Sequence, residues 1–217
     1  MLGVLRGVPT IADLWRSADA SLWDAALDRY WSFLLPANID LEHEMAALTP
    51  ADVQCLDAQG WFDFLLLCDF RWKYTAPNRY ATTTASLKRQ VDKIGFDALL
   101  GMRDRILASP DRPPEVALTA ACEIGGLGPA GASGLLALLF PGAFGTIDQF
   151  VTKALAEIPS LPEHQRVCRM RPEGLTIRDG VVLIGIMRRQ AASLNAAFGT
   201  ESWTPRRIDM VLWTYGR

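Results

Sequence analysis

Apolar residues recur three and four positions apart along this chain rather than alternating, and turn or cap signals interrupt them roughly every 10 to 20 residues. That spacing sets the apolar side chains along one face of a helix, so it predicts an all-α fold. Helices are expected over 11–16, 22–35, 50–58, 61–72, 83–94, 96–108, 114–123, 129–140, 147–157, 181–198 and 205–213. Two starts share one device. Thr49-Pro50 and Thr204-Pro205 each put a hydroxyl at the N-cap and a proline at the first helical position, where its missing N–H costs no bond. The segments 111–114 and 159–162 read as connectors, and the loop opened by Arg171-Pro172-Glu173-Gly174 is expected to hold a short strand around 175–177. No repeat or low-complexity tract divides the chain, so one domain over 1–217 is expected.

Composition narrows the chemistry. Half of the 217 residues are hydrophobic and 21% are charged, enough apolar material to fold around a core without staples. His43 and His164 are the only histidines, which excludes a multi-histidine metal site and argues against a Ser/His/Asp triad. Cys55, Cys68, Cys122 and Cys168 lie 13, 54 and 46 residues apart with no Cys-x-x-Cys, so they are expected to be reduced, mostly buried thiols without a metal. The opening Met1 to Arg6 lacks the pattern of a signal peptide, and the longest apolar runs fall short of the ~20 residues that span a bilayer. A soluble, cytoplasmic protein with no membrane partner is the expectation.

The net charge of −2 hides a split. Residues 1–70 carry −8 and residues 71–217 carry +6. Between 71 and 93, Arg71, Lys73, Arg79, Lys88, Arg89 and Lys93 face a single acid, Asp92, and are interleaved with Trp72, Tyr74 and Tyr80. Such a stretch suits a polyanion, and it equally suits a solvated helix face with core aromatics.

The segment from Ile124 to Leu135, Ile-Gly-Gly-Leu-Gly-Pro-Ala-Gly-Ala-Ser-Gly-Leu, joins two helices through a Gly-x-Gly turn and is followed by Phe144-Gly145-Thr146-Ile147-Asp148. Glycines there free backbone N–H groups to meet a phosphate, although close helix packing also calls for small residues. The arrangement resembles the helix–hairpin–helix DNA glycosylase superfamily, in which a hairpin of the form L-P-G-[VI]-G-x-[KT]-x-A precedes a V-D pair whose aspartate is catalytic. Gly126-Leu127-Gly128 matches the turn, Ala132 the small residue after it, and Ile147-Asp148 the apolar–aspartate pair. The match covers residues 114–156 and is similar in particular to compact bacterial proteins with an 8-oxoguanine-DNA-glycosylase-like fold, some of them associated with phage defence. The resemblance implies two helical lobes around a DNA-facing cleft, a monomer acting on double-stranded DNA, no required cofactor, and a monovalent cation as an option at the hairpin. Bifunctional members carry a Schiff-base lysine two residues past the last hairpin glycine. Ala130 stands there, which implies a monofunctional enzyme or a lysine from elsewhere.

Cleaving an N-glycosidic bond builds positive charge on the sugar, and a carboxylate near C1′ stabilises it and orients water. Asp148 is the candidate; its other reading is a first-turn helix carboxylate behind a Thr146 cap. Gly126, Gly128, Ala130, Arg71, Lys73, Arg79 and Lys88 are the candidate DNA-backbone contacts. Trp72, Tyr74, Trp203 and Asp209 are the candidate pocket for an extruded base, with core packing or helix capping as their other readings. Trp15, Trp23, Tyr30, Trp31 and Phe33 read as a stripe that packs on the core. A duplex-binding module without catalysis and a helical scaffold are the competing functions, and Asp148 is the feature that separates them.

Overall fold

The computed structural model describes residues 8–217, and none of these forms a strand. The opening Met1 to Arg6, expected to carry no signal peptide, lies outside the described residues. The helices run in order α1 (Ile11–Trp15), α2 (Ala20–Phe33), α3 (Pro36–Ala46), α4 (Pro50–Gln54) and α5 (Ala58–Phe64). A π-helical turn (Leu65–Asp69) leads into α6 (Phe70–Lys73). There follow α7 (Pro77–Ile94), α8 (Phe96–Leu107), α9 (Pro114–Cys122), α10 (Pro129–Leu139), α11 (Gln149–Ala156), α12 (His164–Val167), α13 (Ile177–Phe198) and α14 (Pro205–Gly216). No described helix is long and apolar enough to cross a membrane.

One contiguous core holds these helices together, from Leu14 and Trp23 near the start to Val211 and Leu212 near the end. α10 is its centre: residues 131–139 are all buried, which is why the sequence there is apolar on every side. Fully burying a leucine is worth ~1.5–3 kcal/mol, so Leu135 and Leu136 alone anchor this helix firmly. α14 packs against α2, α11 and α13, bringing the chain's last helix onto its first long one.

Both expected Thr-Pro starts form. Thr49 makes a capping box with Asp52, and the Thr204 hydroxyl accepts from the Arg207 N–H at 3.2 Å. The expected strand around 175–177 is absent. Thr176 instead caps α13 in a capping box with Asp179, which starts that helix at Ile177 rather than at 181. α7 likewise starts at Pro77 rather than at 83, so Arg79 and Tyr80 are helical. The segment 36–46, not expected to be helical, is α3, with Pro36 as its first residue. The four cysteines are free, but none is buried: Cys55 and Cys168 are exposed, and Cys68 and Cys122 are partly so.

Candidate active site

The turn between α9 and α10 is clamped to α7. Gln90 accepts from the Gly125 N–H at 2.6 Å and donates to the Glu123 carbonyl at 2.7 Å, so one side chain bridges the turn. Gly126 has φ +97, and a Cβ there would lie 2.7 Å from the Thr83 carbonyl oxygen. Both the backbone conformation and the close approach therefore require glycine. Gly128 faces open space, and Ala130 lies on the wall of the large cavity.

Ser133 couples this hairpin to the aspartate. Its hydroxyl donates to the Ala130 carbonyl at 2.8 Å and accepts from the Ile147 N–H at 2.9 Å. Asp148, not Thr146, is the N-cap of α11. Its Oδ1 accepts from the backbone N–H of Phe150 at 2.9 Å and of Val151 at 3.0 Å. Thr146 is fixed from another direction, its N–H donating to Asp209 Oδ2 at 2.5 Å. Capping consumes one carboxylate oxygen of Asp148. The other, Oδ2, lies 3.9 Å from Lys73 Nζ. Capping thus uses one oxygen of the side chain and leaves the other facing Lys73.

Asp148 and Lys73 line a cavity of about 390 Å³, within the ~300–1,000 Å³ usual for small-molecule sites. α2, α3, α6, α7, α10, α11 and α14 all contribute to its wall. On one side Arg206 is a buried hub. It pairs with Asp209 through one guanidinium nitrogen and with Glu42 Oε1 at 2.6 Å through the other, and it lies over the Trp72 ring at 5.2 Å. Glu42 Oε2 accepts from Trp72 Nε1 at 2.5 Å, so both carboxylate oxygens are used and the indole plane is fixed. Burial pushes the Asp209 carboxyl up to about 6 against the pull of Arg206 and the Thr146 N–H. Asp69, fully buried in the π-turn and outside the cavity lining, has no hydrogen-bond partner on either oxygen. Burial raises it to about 7, with Lys73 opposing.

Most of the expected site residues meet here. Trp72, Tyr74, Asp209, Arg71, Arg79, Ala130 and Asp148 all line the cavity, with Arg71 and Arg79 exposed. Lys73, expected as an outer phosphate contact, points inward instead, its side chain only 11% exposed. Trp203 is not in the cavity wall. It is 4% exposed and packs edge-on against Trp23 at 5.4 Å, because Asn195 ties its backbone to α13. Lys88 is exposed on α7, roughly 140° around the helix from Thr83, which meets the hairpin. It shares neither the hairpin face nor the cavity wall.

Three residues of the cavity wall carried no local signal: Glu42, Arg206 and Tyr30, whose hydroxyl accepts from Arg206 at 3.3 Å. Pro36, a helix-start proline, was the one sign of α3. His43 and His164 are outside the cavity wall, the first stacked on Trp31 and the second bonded to the Ala156 carbonyl. Among the described residues no group of three or more His, Cys, Asp or Glu side chains is arranged to hold a metal. Comparison with protein-family models, curated proteins and solved structures finds no match.

Proposed function

We propose that this chain is a DNA N-glycosylase that binds double-stranded DNA as a monomer and removes a damaged or modified base. One observation carries this reading. Asp148, which lines a cavity of about 390 Å³, is held by two backbone N–H groups through one oxygen, while the other stands 3.9 Å from Lys73 Nζ. A carboxylate so fixed needs no reorganisation as cationic charge builds on the sugar, which is the condition for electrostatic stabilisation of that transition state. Trp72, locked by Glu42, offers an aromatic face for an extruded base. The hairpin glycines and the exposed Arg71 and Arg79 at the cavity are suited to positioning the DNA backbone.

The substrate is then either a base lesion met in repair or a modified base of the kind carried by phage DNA. The test is incubation with a panel of duplexes that includes genomic DNA from phages with modified bases, with abasic sites read as alkali-labile breaks. Asp148→Asn is expected to lose base release by at least ~100-fold while still binding duplex. Undiminished release by Asp148→Asn would overturn the mechanism, and duplex binding without release by either protein would leave a pure binding module.

A further inference from the structure

Where α12 runs on toward α13 the surface holds a second cavity, of about 310 Å³. Arg166, Arg169 and Arg171 line it, and all three are exposed. None of them forms an ion pair with a described carboxylate. Asp179 is the one acid among the described residues of the wall, and its carboxylate is already held by the Thr176 N–H at 3.0 Å and hydroxyl at 2.7 Å. Arg166 is aimed by the Arg178 carbonyl, to which its guanidinium donates at 3.3 Å. Like charges gathered without partners repel. A ligand with several phosphates relieves that repulsion and takes the forked N–H donors of each guanidinium.

The place of this cavity says which phosphates. Arg171 and Gly174 are the ends of a turn closed by the Gly174 N–H, which donates to the Arg171 carbonyl at 2.9 Å, and Pro172 at its second position presets the backbone. Those two ends line the arginine cavity, whereas Pro172 and Glu173 at the tip line the cavity that contains Asp148. One turn, under ~7 Å across, therefore separates the two. We propose that the arginine cavity holds backbone phosphates of the DNA strand beside the extruded nucleotide; the inference rests on the glycosylase reading above. A strand that rises ~3.4 Å per nucleotide crosses the turn within about two to four nucleotides of the Asp148 cavity. The exposed Glu173 at the tip repels phosphate from the rim and leaves Arg171 as the nearest contact. Neither the hairpin glycines nor Arg71 and Arg79 line the arginine cavity, so this contact is separate from theirs and extends the footprint past the turn.

A duplex carrying one tetrahydrofuran abasic analogue tests this without knowledge of the base. Arg169→Gln and Arg171→Gln are each expected to lower the slope of log affinity against log salt by about 0.9, the value for one lost phosphate contact. Uncharged methylphosphonate linkages, placed singly at about four positions on either side of the analogue, are expected to weaken wild-type binding by about 3-fold at one or two linkages on one side. The variants should no longer distinguish those duplexes from the unmodified one, a loss that a merely structural arginine would not produce. Should a variant fail to fold, wild-type protein still decides: duplex is expected to protect Arg169 and Arg171 from phenylglyoxal, read by peptide mass mapping. Unprotected arginines, wild-type slopes in both variants, or variants that discriminate as wild type does would overturn the proposal. Protection by inorganic triphosphate but not by duplex would also overturn it and assign the cavity to a free polyphosphate. Alkali-labile sites made in DNA by variants with wild-type slopes would refute the arginine contact and leave the glycosylase reading standing. Lowered slopes and protection, with no base released from any duplex, would uphold the contact and refute that reading.

Discussion

At the scale of single residues, the site is a set of buried charges of unequal satisfaction. Arg206 is met by two carboxylates and a phenol, whereas Asp69 has no hydrogen bond and only Lys73 to offset its charge. A buried carboxyl with a folded pKa of about 7, against about 3.9 unfolded, binds its proton more tightly in the native state. Its stabilising contribution is full below the unfolded value and is lost as pH rises through the folded one. Asp69→Asn mimics the neutral acid at every pH. It is therefore expected to melt above wild type at pH 8, by up to about 4 kcal/mol of stability, with the gap narrowing by pH 5. Thermal melts at the two pH values check this, and an equal shift at both would contradict it. Asp148 was legible in the sequence because hairpin and aspartate lie close together in one local pattern. Glu42 was not, because its partner Arg206 is 164 residues away and nothing in either neighbourhood announces the pair.

Elements show a similar division. The Thr-Pro starts of α4 and α14 follow from local chemistry and were readable, whereas the Thr176–Asp179 capping box that starts α13 was read as a strand. The small residues of α10 were also readable, but their purpose was only half so. They were expected to let α9 approach, and α9 does pack on α10. Gly131 and Gly134, however, also receive side chains from α6 and the residue after it: Tyr74 at Gly131, and Lys73 and Trp72 at Gly134. A Cβ at Gly131 would collide with the Tyr74 hydroxyl and sit 2.8 Å from Leu127 Cδ2. Gly131→Ala is thus expected to cost ~1–3 kcal/mol in urea denaturation, the range for overpacking a core. Gly128→Ala, at φ −84 with nothing within 4 Å, meets no clash and is expected to lose only the glycine preference of the α10 N-cap, less than Gly131→Ala, and serves as the control.

Across the whole molecule, the acidic first third and basic remainder do not simply face opposite ways. The acidic third reaches into the cavity, where Glu42 holds Arg206 and Trp72. Surface cations and buried cations should then behave differently toward DNA. Arg71→Gln and Arg79→Gln are each expected to reduce the slope of log affinity against log salt by about 0.9, the value for one lost phosphate contact. Lys73→Gln should leave that slope unchanged, because its charge is inside. Duplex titrations across a salt series measure both. What separates Lys73 from its exposed neighbour Arg71 is angular phase, and the π-turn sets that phase. The uniformly apolar run Leu65-Leu66-Leu67-Cys68 gives no hint of where the turn widens, and Leu67 is left 55% exposed. One additional residue in a helical turn advances everything beyond it by roughly 100° about the axis. The register of the cavity-facing side is therefore fixed by chain length between α5 and α6 as much as by residue identity, so a single-residue insertion or deletion there acts as a rotary switch on which side chain meets Asp148.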